Sequence, residues 1–260
     1  MDTSADSQDL AGYPPAGRGP LLGRDTLLLL LTLAAGSVDA ISYLGLEHVF
    51  TAMMTGNTVL LGLALGQGHI LDALRSILAL LGFVGGVILG ALIAEWDRSP
   101  GDWPPGVTRA LTAECVLLGA FAASWHLTGP ERSEPELYLL IVLTAIAMGI
   151  QSAAVRRLGV PWIATTYITG TLTSLMVDVA HMLHRVEVTG DLDRVLVRWE
   201  RRLGLLAAVF LVYGVGALAG SLLRLRSFGF ATLVPFLAVS LVVWGAVSLR
   251  RRSNLPNPPF

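Results

Sequence analysis

Residues 36–61 read GSVDAISYLGLEHVFTAMMTGNTVLL, and residues 149–175 read GIQSAAVRRLGVPWIATTYITGTLTSL. Placed together the two stretches match. Thr55-Gly56 falls on Thr169-Gly170, 114 positions apart, and each stretch puts glycine and several hydroxyl or amide side chains in the middle of an otherwise apolar run. Further on, Gly90-Ala91-Leu92 echoes Gly216-Ala217-Leu218, displaced by 126. Self-similarity at such a separation is the mark of an internal duplication. The copies would cover about 27–128 and 137–249, with chance likeness between Gly/Ala/Leu-rich helices as the alternative.

Around these stretches the composition is that of a membrane protein. The chain has 260 residues, 53% hydrophobic and only 14% charged, with a mean hydropathy of +0.65. Soluble domains carry roughly 25% charge. A net charge of −1 with no basic domain argues against nucleic-acid binding. The single Cys115 excludes a disulfide framework and a cysteine-built metal site. All 18 basic residues are Arg, so no Schiff-base lysine is available.

The reading is an all-α polytopic membrane protein with six strong spans. These are the run from Leu27, then Ser76–Ala94, Thr108–Leu127, Leu137–Val155, Leu203–Leu223 and Phe228–Leu249. Each approaches the ~20 residues that a ~30 Å hydrocarbon core requires. Trp96, Trp103, Trp125, Tyr138 and Trp162 fall near span ends, where amphipathic rings prefer the headgroup boundary. Two weaker segments, Val49–Gly66 and Trp162–Met182, are Gly-broken and polar, and either re-enter or cross. If both cross, arginines divide 12 against 6; if neither does, 14 against 4. Both counts put the two termini in the cytoplasm. Six spans would invert the two copies, and eight would leave them parallel.

Residues 1–26 read as a disordered cytoplasmic tail and 250–260 as a short C-terminal one, leaving 27–249 as a single membrane domain. In the long polar loop, Leu192, Val195, Leu196, Trp199 and Leu203 recur at helical spacing beside Arg194, Arg198, Arg201 and Arg202. This predicts an interfacial helix over about 190–203 lying on anionic lipid. Gly82, Gly86, Gly90 and Ala94 form a small-residue stripe suited to close helix packing, within the chain or in a homo-oligomer.

The stretches GSVDAISYL with FTAMMTGN, and AMGIQSAAVRRLG with ATTYITGTLT, resemble the YoaK family, a bacterial inner-membrane family classed as a domain of unknown function. The resemblance runs from about Leu27 to Leu249. It implies a multi-span protein, usually with about six spans, and no established substrate. Ser152 departs from the Asn that many relatives would place after the glutamine, which puts a polar contact there in doubt.

Polar groups at membrane depth are costly, about 2.5–3.5 kcal/mol for Asp at a helix centre. Asp39 is therefore a candidate functional group, with capping of a broken helix as the structural alternative. The expected site is a substrate or ion site between the two repeats, built by Asp39, Thr55, Gly56, Asn57, Gln151, Thr169, Gly170 and Thr171. The glycines would open the backbone for coordination, as in transporters with broken helices. Glu114 reads equally as a proton site or as a group solvated at the interface, and Asp178 with His181 and His184 as solvated helix-end residues, with a proton relay or metal site as the alternative. No cofactor, metal or nucleic-acid motif is present, and no nucleophile–base pair suggests an enzyme. The leading reading is a small-solute or ion transporter in contact with membrane lipids. The alternative is a non-transporting scaffold or sensor that recruits a partner through the basic interfacial helix.

Overall fold

The structure is a computed structural model that describes residues 23–96, 103–129, 131–159, 168–189, 192–226 and 229–253. The described residues are helical with short connections: α1 Arg24–Gly45, α2 Met54–Gln67, α3 Ile70–Glu95, α4 Pro105–Thr128, α5 Glu134–Arg157, α6 Ile168–Thr189, α7 Leu192–Arg226, a 3-10 turn Phe230–Thr232 and α8 Leu233–Ser253. Local chemistry sets several boundaries. Pro105 opens α4 where its missing N–H costs nothing. Ser133 and Glu136 cap α5 reciprocally, the Ser133 N–H donating to Glu136 Oε2 at 2.8 Å. Gly68, at φ 74°, ends α2 in the left-handed conformation.

Six helices are long and apolar enough to cross a membrane: α1, α3, α4, α5, the Leu203–Arg226 part of α7, and Phe230–Ser248. Packing contacts fix their directions. Gly82, Gly86 and Gly90 of α3 face Ala145, Ile146 and Ile150 of α5, ascending together, so α3 and α5 run parallel. Gly216 and Gly220 of α7 face Leu33 and Ser37 of α1 in the same way. α4 runs against α8, since Cys115 meets Ser240 and Gly119 meets Phe236.

One face collects the end of α1, the end of α4 and the start of α5. Arg132 donates to the Gly45 carbonyl at 3.0 Å and its guanidinium lies 3.8 Å from the Trp125 ring centroid. Arg75, near the start of α3, pairs with Glu134 at 2.6 Å on the same face. On the opposite face the Arg24 guanidinium at the start of α1 donates to the Leu158 carbonyl at the end of α5. Trp125 is thus not a boundary anchor, as its position suggested; it is fully buried, with Arg132 and Arg224 over its ring. Burial and then the neighbouring Arg224 lower the Arg132 pKa to about 10.

These directions answer the open question of the weak segments. α1 ends and α3 begins on one face, so the chain between them enters and leaves on that face. α2 has only 14 residues, about 21 Å at 1.5 Å per residue, short of a ~30 Å core. α5 ends and α7 begins on the other face, so the 22-residue α6 lies in the chain between two helix ends on that face. Each half therefore contributes three crossing helices, and α1 and α5 cross in opposite directions.

The halves interlock by exchange: α1 packs on α7, and α5 on α3. Glycines make the close approaches. Gly36 meets the Tyr213 carbonyl and Gly149 the Phe83 carbonyl; Gly86 meets Ile146 and Gly216 meets Leu33. Dispersion between closely approaching backbones holds such pairs in lipid, where helix burial gains little from water exclusion. In this packing Gly90 lies on Ile150 and Gly220 on Ser37. A correction concerns the helix expected over 190–203. From Leu192 it continues unbroken into the span as α7, 35 residues long; its side chains through 202 lie outside the described residues.

Candidate functional site

The connection from α1 to α2 folds back into the protein. After Gly45 the chain reverses through Glu47 and His48, both with positive φ (58° and 63°), a conformation that costs non-glycine residues about 1–2 kcal/mol each. Local contacts support it. The His48 N–H donates to the Tyr43 carbonyl at 3.1 Å, and Tyr43 stacks on Phe50 at 4.9 Å and meets His48 edge-on at 5.0 Å.

Asp39 receives the returning chain six residues before the end of α1, about 9 Å down the helix. Its Oδ1 accepts the backbone N–H groups of Thr51, Ala52 and Met53 at 3.0, 2.8 and 3.3 Å. Asn57, on the first turn of α2, takes the next amide: its Oδ1 accepts from Phe50 N–H at 3.0 Å while its Nδ2 donates to the Phe50 carbonyl. Ser42 Oγ and Thr51 Oγ1 are 2.9 Å apart. Four consecutive amides of a non-helical segment are thereby satisfied by side chains, which is what irregular backbone at membrane depth requires. The remaining Asp39 oxygen accepts from the Tyr213 hydroxyl of α7. One carboxyl thus ties together α1, the re-entrant loop and the second half of the molecule.

Gly56 lets this loop close, since a Cβ there would lie 2.8 Å from Met53 Cε and 2.9 Å from Phe50 Cδ2. Asn57→Ala should leave the Phe50 N–H and carbonyl unpaired and cost about 2 kcal/mol. Denaturant unfolding of the purified protein, with limited proteolysis at 46–53, reads that loss.

The other expected site residues lie elsewhere. Gln151, fully buried, donates from Nε2 to the Leu31 carbonyl at 3.1 Å, where α5 crosses α1. Thr55 and Thr169 are exposed, and Thr171 sits with Leu175 and Asp178 on the buried face of α6, the helix that packs on α7. Asp39 and Asn57 make no hydrogen bond to Thr169, Gly170 or Thr171. The eight residues therefore form a first-half cluster, a helix crossing and a separate α6 group, because α2 packs on α3 and α6 on α7. Thr165 to Tyr167 and Trp162 lie outside the described residues.

Sequence reasoning missed Tyr213, although a tyrosine far from either end of a span was a visible signal. It left Glu114 open between an interface and a proton site, and it misplaced Asp178. Glu114 is 0% exposed, not interfacial, and Asp178 is 4% exposed, not solvated. Among the described residues no group of three or more His, Cys, Asp or Glu side chains is arranged to hold a metal ion.

The family model described as "Protein of unknown function (DUF1275)" matches residues 27–246. The chain belongs to the DUF1275 family. The UPF0700 transmembrane protein YoaK of Bacillus subtilis (strain 168) is a relative, 39% identical over 217 residues, which span 83% of this chain and 91% of that protein. The DUF1275 match begins in α1 and ends in α8, so it takes in the six spans and the re-entrant Asp39 loop. No solved structure matches the chain.

Proposed function

We propose that this DUF1275 protein is a small-solute or ion carrier of the bacterial inner membrane, built from two inverted repeats, each of three spans and one helix that does not cross. The observation that carries this reading is the exchange packing of two oppositely directed halves, α1 on α7 and α5 on α3. Carriers built this way alternate access by rocking one half against the other. Six crossings place the ends of the membrane domain on one face. Arg24, Arg156 and Arg157 belong to that face and Arg75, Arg132, Arg224 and Arg226 to the other, so the 14-against-4 division supports cytoplasmic termini.

In this reading Asp39 and Asn57 form the latch of the re-entrant loop instead of coordinating the solute directly. The Asp39–Tyr213 bond is a polar contact between halves that breaks and reforms as they move, and Gln151 braces the α1–α5 crossing. Uptake of a broad solute panel into proteoliposomes tests the proposal. Asp39→Asn, Asn57→Ala and Tyr213→Phe should each reduce uptake at least about ten-fold, the effect of roughly 1.4 kcal/mol on one conformational equilibrium, at unchanged protein abundance. Wild-type uptake in all three would remove the latch from the mechanism, and no uptake of any solute or ion would remove the carrier.

A further inference from the structure

A second buried carboxyl stands apart from the latch. Glu114 lies nine residues into α4, about 14 Å from its start, near the middle of a span. It is 0% exposed and neither of its oxygens has a hydrogen-bond partner. It shares the buried face of α4 with Leu111, Leu118, Phe121 and Trp125. The elements packed along α4 are α3, α5, α8 and the 3-10 turn, while Arg224 of α7 and Gly45 of α1 meet it only at Trp125, about three turns beyond Glu114. Their packed stretches, 76–94, 139–155 and 230–249, contain no Asp, Glu, His, Cys, Tyr, Lys or Arg. On α4 itself the nearest ionisable groups are Cys115, whose Sγ lies 3.2 Å from Ser240 Oγ, and the exposed Arg109.

The contrast with Asp39 gives the inference. Asp39 spends both oxygens on holding structure, and its placement is explained by that. Glu114 holds nothing, so the cost of burying an unpaired polar group has no structural return. Ionisable residues inside spans typically belong to ion or proton pathways.

We propose that Glu114 is a proton-exchange site. A hard cation takes several oxygen ligands, and the nearby Ser240 hydroxyl already pairs with Cys115, so a lone carboxyl in apolar packing suits a proton. Protonated, the group is neutral and the helices close over it. When they part, an Oε gives its proton to entering water or takes one from it, and no bond between heavy atoms forms or breaks. The inference rests on the carrier reading for its use, as the site where proton movement is coupled to the rocking of the halves.

Dicyclohexylcarbodiimide adds to protonated carboxyls in apolar surroundings and leaves a stable acylurea, which peptide mass spectrometry locates. The full-length protein in membranes should form this adduct at Glu114. The rate should fall about ten-fold per pH unit on the alkaline limb, as a single exchanging proton requires. Glu114→Gln should abolish the adduct, and Glu114→Asp should keep its pH dependence. Glu114→Gln and Glu114→Met should leave Tm unchanged or raised. No adduct, a rate indifferent to pH, or a Tm lowered by both substitutions would overturn the proposal, the last by assigning the carboxyl to the fold. Labelling needs no solute, so an empty solute screen would end the carrier reading without touching this result.

Discussion

Alanine at Gly149 or Gly36 is expected to destabilise the protein by about 3 kcal/mol or more, the upper range for overpacking a site that cannot yield. In each case the added methyl would meet backbone and not a movable side chain. At Gly149 it would stand 2.7 Å from the Val87 nitrogen and 2.9 Å from the Gly86 carbonyl carbon, and at Gly36 it would press on the Tyr213 carbonyl. Relief requires α5 to move off α3, or α1 off α7. The sign is diagnostic, because alanine normally improves a helix over glycine by about 1 kcal/mol. Gly85→Ala and Gly214→Ala, where nothing lies within 4 Å of the new carbon, should be neutral or stabilising. Unfolding midpoints in detergent for the four variants check this, and equal effects at all four positions would deny the interlock.

Asp39→Ala should cost on the order of 4 kcal/mol. It strands the Thr51, Ala52 and Met53 N–H groups and the Tyr213 hydroxyl, and each buried donor left unpaired costs about 1–3 kcal/mol before relaxation. Asp39→Asn keeps one carbonyl oxygen for the loop and should cost about 1–2 kcal/mol, because its amide faces the tyrosine with a donor. Tyr213→Phe removes that conflict, so Asp39→Asn with Tyr213→Phe should cost less than the sum of the two. Full additivity in this cycle would mean that carboxyl and hydroxyl act independently.

Much of the architecture was legible in the residues. Runs of about 20 apolar side chains have one stable disposition in lipid, and the six crossing helices fall where the sequence placed them. Gly82, Gly86 and Gly90 announced a close packing face, which α5 occupies. The choice between re-entry and crossing was not legible, since length favoured one and arginine balance the other. It is decided by contacts distant in sequence, such as Arg75 with Glu134 and Arg132 with Gly45. The candidate site shows a sharper limit. Asp39 and Asn57 stood out because polar groups at depth need partners, but the sequence did not say whether the partner is a solute or the chain itself. The nearest takers are the amides of 50–53. The interface reading of Glu114 stayed open for a simpler reason: the helix starts at Pro105, ahead of the apolar run, which moves the carboxyl inward.

The opposed disposition of the halves is tested most directly by cysteine accessibility. In a Cys115→Ser background, single cysteines at Glu47, Gly68 and Gly159 are treated in intact cells and in inverted vesicles with a membrane-impermeant maleimide. Positions 47 and 68 flank α2 on one face, and should both react from the outside; position 159 should react only from the cytoplasmic side. Labelling of 47 and 68 from opposite sides would mean that α2 crosses, that the halves are not inverted, and that the account is wrong.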